Sequence, residues 1–204
     1  MYREHQSAIA AFARANPAGL LHVMRFAAVS AREKFYNVPA VMGDPERELW
    51  GHKIHAWAEM ERQAGAAYEQ CEAIAAGDWT RRERAALLIR YLATLPGLNL
   101  SKAGFVAQMA YGCGGCLDGV NIQRLKLDSF ARAVNGNSRY RVKHQRTPAK
   151  RLRLARWYVA NTERCGGPGK LWDDWCAEIA LRYPSVFPAA ESASAHHLVC
   201  LGLT

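Results

Sequence analysis

One stretch, "TLPGLNLSKAGFVAQMAYGCGGCLDGVNIQRL" at residues 94–125, sets a single lysine at the head of an apolar segment and a single aspartate just past its tail. The two residue types suit two kinds of work. Lys102 can offer a cation to a phosphate or, without its proton, a nucleophile. Asp118 can accept a proton or cap a helix. The pair therefore frames a choice between an enzyme and a module that only binds.

The elements around the pair are predicted to be helical. "TRRERAALLIRYLATL" carries a capping box, Thr80 with Glu83, and an apolar stripe of Leu87, Leu88, Tyr91, Leu92 and Leu95. "PGLNLS" then reads as a tight hairpin and "KAGFVAQMAYG" as a second helix. Gly97 lets the chain turn, Asn99 tolerates a left-handed backbone, and Ser101 caps the second helix. Backbone N–H groups in such a hairpin make a seat for one phosphate. After "GCGG", Asp118 is placed to start a further helix, "DGVNIQRLKL".

The rest of the chain follows the same pattern. "NPAGLLHVMRFAAVSAREKF" opens with Asn16 as cap and Pro17 as first helical residue. Residues 43–77 repeat this with Asp44 and Pro45, and put Trp50, Ile54, Trp57 and Tyr68 on one face, with Gly51 and Gly65 as points where the helix can kink or split. "TPAKRLRLARWYVANTE" has Thr147 and Pro148 at its head, and "KLWDDWCAEIALRY" is amphipathic and ends at Pro184. No segment alternates with period two. The expected fold class is all-α, in one domain spanning 1–204.

The charge balance narrows the partner. Lys and Arg number 27 against 18 acids, a net charge of +9, which points to a polyanion such as nucleic acid. From Ser129 to Thr162 there are nine Lys or Arg and no acid. Within that run Arg151, Arg153 and Arg156 lie beside Trp157 and Tyr158, as phosphate contacts with aromatic stacking nearby would require, and a solvated face is the other reading. "VNGNSRYRVKHQR" before it reads as a polar linker. The N-terminal segment does not resemble a signal peptide, and no apolar run reaches the roughly 18 residues a membrane span needs. A cytoplasmic protein with six reduced cysteines is expected.

Residues 80–118 resemble the helix-hairpin-helix of the base-excision DNA glycosylase superfamily: a leucine-proline-glycine hairpin, a lysine opening the second helix, and an aspartate heading the next. The resemblance implies a two-lobed all-α fold. Its helix-hairpin-helix would fall at about 80–111, its catalytic aspartate loop at 112–127 and a basic helical segment at 129–162, with Lys102 and Asp118 as catalytic residues. It also implies DNA contacts from Gly97, Asn99 and Ser101, joined by Arg151, Arg153 and Arg156. Three departures turn the reading away from standard repair. The second hairpin glycine is replaced within "GLNLSK", Val120 stands where a histidine is often found, and no four-cysteine run for an iron–sulfur cluster follows.

"LSKAGFVAQM" with "CLDGVN" is also similar to a phage-borne branch of that superfamily, the α-glutamyl/putrescinyl-thymine pyrophosphorylases and amino acid:DNA transferases. That likeness implies an enzyme acting in the host cytoplasm on double-stranded DNA with a modified thymine, with an amino acid or amine as co-substrate and no cofactor. Pyrophosphate leaves an exocyclic methylene carbon and an amine attacks it. Lys102 would stabilise the leaving group or the incoming carboxylate, and Asp118 would take the amine's proton. A glycosylase would use the same pair differently, with Lys102 attacking the sugar C1′ and Asp118 stabilising the sugar's positive charge. In either case the base leaves the stack. A DNA-binding module without catalysis is the third reading.

Pocket candidates are Phe35, Tyr36 and Asn37, in a link expected to be non-helical at 33–45, with Gln108, Tyr111 and Asn121 near the reactive pair. Core packing is the competing role for Phe35. Cys113 and Cys116 form a lone CxxC, read as small thiols in a tight loop rather than zinc ligands. His52, His55 and Glu59 share a helical face and read as a polar seam rather than a metal site. His196 and His197 carry no signal, and no metal is expected.

Overall fold

The computed structural model describes residues 1–30, 33–44, 51–127, 142 and 145–204, with backbone alone for 51–54. Among the described residues there are eleven α-helices and no strand, so the fold is all-α. In chain order these are α1 (Tyr2–Ala15), α2 (Pro17–Ser30), α3 (Val38–Gly43), α4 (Gly51–Arg62), α5 (Ala64–Ala76), α6 (Arg81–Leu92), α7 (Leu100–Tyr111), α8 (Gly119–Arg124), α9 (Pro148–Arg164), α10 (Gly167–Arg182) and α11 (Ala190–Cys200). No helix among them is long and apolar enough to cross a membrane.

Several helix starts follow from side-chain caps legible in the sequence. Asn16 accepts from Gly19 N at 3.0 Å, Thr80 from Glu83 N at 3.2 Å and Thr147 from Lys150 N at 3.3 Å. Asp118 does the same for α8, accepting from Asn121 N at 2.9 Å. The Thr80 box is half made, because the Glu83 carboxylate pairs with Arg156.

The hairpin differs in detail from its expected form. Gly97 turns the chain at φ +72°, as expected. Asn99 is extended at φ −114° and is itself the cap of α7, accepting from Lys102 N at 3.0 Å. Ser101 is not a cap; it lies inside the first turn of α7, and its hydroxyl is turned inward. The expected long helix over 43–77 is two helices, broken at Gln63 between α4 and α5. Asp44 follows the end of α3, while Pro45, Trp50 and the side chains of His52 and Ile54 lie outside the described residues. The link at 33–45 is mostly helical: a 3-10 turn at Phe35–Asn37 runs into α3.

α7 is the axis of the molecule. Nine of its side chains or Cα positions are buried, and Lys102 and Phe105 are only partly exposed. A helix apolar on every side belongs inside a protein, and α1, α2 and α6 pack around it. α9 runs along α6, α10 packs on α9 and on α11, and α8 rests on α10. Lys102 thus stands where the buried helix meets solvent.

Candidate active site

The loop from Cys113 to Asp118 crosses the flank of α7 as a strap. It passes so close that a Cβ on Gly104 would lie 2.3 Å from Gly115 O and 2.8 Å from the Tyr158 ring. Gly115 itself has φ +151°, a conformation that a side chain would strain. Buried side chains stitch the strap down. Ser101 Oγ donates to Leu117 O at 2.7 Å. Gln108 accepts from Cys116 N at 3.1 Å and donates to Pro168 O at 2.6 Å. Tyr158 donates to Gly115 O and accepts from Leu117 N, both at 3.0 Å. Asn121 Nδ2 donates to Cys116 O at 2.9 Å.

These bonds deliver Asp118 to a cavity of about 50 Å³ that Lys102 also lines. Phe35, Phe105, Trp172, Trp175 and His197 wall it. Trp172 and His197 overlap with ring centroids 4.0 Å apart, and Phe35 meets Trp175 edge-on at 4.8 Å. The Lys102 ammonium donates to Gly97 O at 3.0 Å, tying the lysine to the hairpin.

The electrostatics separate the groups. Burial raises the Asp118 carboxyl above its ordinary value, opposed by hydrogen bonds from the Asn121 amide and the Trp175 indole. Burial lowers His197 to about 3, so it is a neutral wall at physiological pH. The Cys116 thiol at the cavity edge is pushed well up by burial and by Asp118, and burial takes Cys113 up to about 12. All six cysteines are free.

The expected pocket residues divide. Lys102, Asp118, Phe35, Gln108 and Asn121 line the cavity, together with Ser101. The amides of Gln108 and Asn121 are committed to backbone groups, so they hold the strap rather than read a base. Tyr36 lies outside that lining, with its ring 5.5 Å from Tyr183. Asn37 is exposed at the end of the 3-10 turn. Tyr111 is at the far end of α7, where the Arg14 guanidinium sits 5.5 Å over its ring.

The basic helix is also rearranged. Arg156 makes a two-pronged pair with Glu83 at 2.6 and 3.1 Å, and Arg151 donates to Gln145 O at 2.9 Å. Arg153 is exposed, while Tyr158 is fully buried and unavailable for stacking. Residues 129–141, 143 and 144 of the basic run lie outside the described residues, and most of the linker at 134–146 goes with them. No group of three or more His, Cys, Asp or Glu among the described residues is placed to hold a metal. His55 is exposed, and Glu59 pairs with Arg62.

Sequence reasoning passed over Phe105, Trp172, Trp175 and His197. The tryptophans carried a signal, because residues three apart in "KLWDDWC" share a helix face. His197 carried none; only the docking of α11 brings it to the wall. No protein-family model, no curated protein and no solved structure matches the chain.

Proposed function

We propose that this chain is a DNA base-modifying enzyme with a two-lobed, helix-hairpin-helix glycosylase-like fold. It receives a flipped pyrimidine against the mouth of the Lys102–Asp118 cavity and transfers an amine or amino acid to an activated thymine derivative. The observation that carries the reading is the meeting of these two reactive side chains, sixteen residues apart, on one aromatic-walled cavity. Aromatic walls hold a base by its faces. The turn between α6 and α7 exposes Gly97 and Asn99, and the net charge of +9 suits a phosphate backbone.

In this reading the substrate is a 5-pyrophosphoryloxymethyl-uracil in double-stranded DNA. The neutral amine attacks the exocyclic methylene carbon, a C–N bond forms, and pyrophosphate leaves with the C–O electron pair. Lys102 supplies positive charge to the departing oxygens. The carboxylate of Asp118, raised by its burial, takes the proton from the attacking nitrogen.

The test is mass spectrometry of nucleosides from duplexes carrying hydroxymethyl-uracil, with and without the pyrophosphate, incubated with protein, amino acids and polyamines. Heavier nucleosides that need the pyrophosphate support the transferase. The shared cavity also admits a glycosylase, in which Lys102 attacks C1′; free base and a borohydride-trapped adduct at Lys102 would establish it. Unchanged but tightly bound DNA would leave a binding module.

A further inference from the structure

We propose that a second recess, at the opposite end of α7 from the hairpin, binds the phosphate group of a small phosphorylated molecule. It has a volume of about 390 Å³, within the range of about 300–1,000 Å³ usual for small-ligand sites. α1 brings Arg3 to it, α6 brings Arg81 and Arg82, and α9 brings Glu163. Gly114 of the strap and residues 166–169 at the head of α10 complete the wall. Its lining shares no residue with the Lys102–Asp118 cavity, so the site stands independently of the transferase reading.

The charge on this recess is unbalanced. Three guanidinium groups line it against one carboxylate. Arg82 Nε pairs with Glu163 at 3.3 Å, and Arg81 Nη2 donates to Gly112 O at 2.8 Å. Each contact leaves its arginine four of the five N–H donors a guanidinium carries. Arg3 is exposed, and its guanidinium has no ion pair or hydrogen bond among the described residues. Asp173 of α10 is bonded to Tyr2 N at 3.2 Å and is not on the lining. Two positive charges are therefore left without an answering acid.

The chemistry of the wall selects the anion. Guanidinium forks match phosphate oxygens two at a time, and a phosphate dianion has oxygens enough for arginines on two helices. The head of α10, where Gly166 gives no side-chain cap, adds partial positive charge to the same wall. Tyr2 is the aromatic residue on the lining, and it is buried with its hydroxyl on Gln108 O. The recess thus reads charge rather than a ring. Walls from α1, α6, α9 and α10 suit the end of a small molecule, not the ribbon of a duplex.

Calorimetry and phosphorus NMR on the intact protein test the site at physiological salt. Inorganic phosphate and ADP are the probes, and succinate is the contrasting dianion. The wild type is compared with Arg3→Glu, Arg82→Ala, Lys102→Ala and Lys150→Glu. Arg3 and Arg82 are exposed, so their variants should melt with the wild type. Lys150 is exposed on α9 away from the lining and carries the same charge reversal as Arg3→Glu. One-site saturable binding of phosphate or ADP is expected, with succinate weaker. Affinity should fall about tenfold in both arginine variants and hold in Lys102→Ala and Lys150→Glu. ADP binding more tightly than phosphate, or equally, upholds the site and tells a nucleotide source from free phosphate. No saturable binding, succinate as tight as phosphate, or an equal loss in Lys150→Glu overturns it. A loss in Lys102→Ala puts the anion in the other cavity and overturns it as well.

Discussion

The indole N–H of Trp175 donates to Oδ2 of Asp118 at 2.9 Å, while Oδ1 of the same carboxylate accepts from Asn121 N at 2.9 Å. Asn121 lies on α8 and Trp175 on α10, and Trp175 is itself set by the edge of Phe35 at 4.8 Å and by His197 at 5.4 Å. The aspartate is therefore aimed from its own helix and from α10, with Phe35 and α11 setting the indole. Each bond favours the charged carboxylate, against the burial that disfavours it.

Trp175→Phe removes one of those donors and keeps an aromatic wall. The carboxyl then becomes harder to ionise, and since the ionised form is the proposed base, activity is lost at higher pH than before. The acidic limb of kcat/KM against pH is expected to move upward, because a hydrogen bond that favours the charged carboxylate has been removed. A limb that stays in place would show that the indole does not tune Asp118.

Lys102→Ala and Asp118→Asn are each expected to lower turnover by roughly 100-fold or more while duplex affinity changes little. Asparagine can still cap α8 through its Oδ1, but its Nδ2 meets the Trp175 N–H, so the Asp118→Asn melting temperature should fall modestly. Steady-state transfer assays with parallel thermal melts check both points. Full activity in both variants would remove the site.

Gly104→Ala drives a methyl group into Gly115 O at 2.3 Å and the Tyr158 ring at 2.8 Å, so the strap must lift. A cost of about 1–3 kcal/mol is expected in denaturant unfolding, with turnover reduced. Gly65→Ala is the contrast, because nothing lies within 4 Å of the added carbon. There an exposed helical glycine gains helix propensity, and stability should rise by about 0.5–1 kcal/mol.

Arg153 and Arg156 of α9 should differ in DNA binding. Arg153 is exposed, whereas Arg156 is held by Glu83. Arg153→Ala is expected to weaken binding to all sequences and to reduce the slope of log affinity against log salt by about one. Arg156→Ala should change that slope less. Titrations between low and physiological salt distinguish them.

His197 gives the fold an acid limit. Its folded value is about 3 against an ordinary 6.5, so it is neutral in the folded protein across the range between. Below 6.5 the unfolded chain takes up a proton that the folded one refuses. The stability is thus fully present above the ordinary value and is lost as pH falls towards the depressed one. Melting temperatures measured from pH 7 to pH 4 should drop, and His197→Phe should flatten the drop.

Local signals carried far into this molecule. Asn16, Thr80, Thr147 and Asp118 begin helices because a short polar side chain answers backbone N–H groups within its own turn, which sequence displays directly. The lysine and aspartate are legible for the same reason, being close in the chain. Tyr158 shows where such reading stops. Beside Arg156 it looked like a surface aromatic, yet helical rotation puts it inward, where its hydroxyl bonds to the strap at Gly115 and Leu117. Tyr111 fails in the same way, since one helix presents Lys102 to the cavity and Tyr111 to Arg14. The wall made by α10 and α11 is a tertiary fact, and nothing within 50 residues of Lys102 in the chain announces it.

The stitched strap has a consequence for how the molecule opens. Loops generally exchange their amide hydrogens with water sooner than core helices do, because they open locally. Here the amides of Cys116 and Leu117 are bonded to Gln108 and Tyr158, which belong to two of the central helices. Freeing the strap therefore means loosening the core itself. Its hydrogens should exchange as slowly as those of α7, and on heating the site and the fold should be lost in one transition.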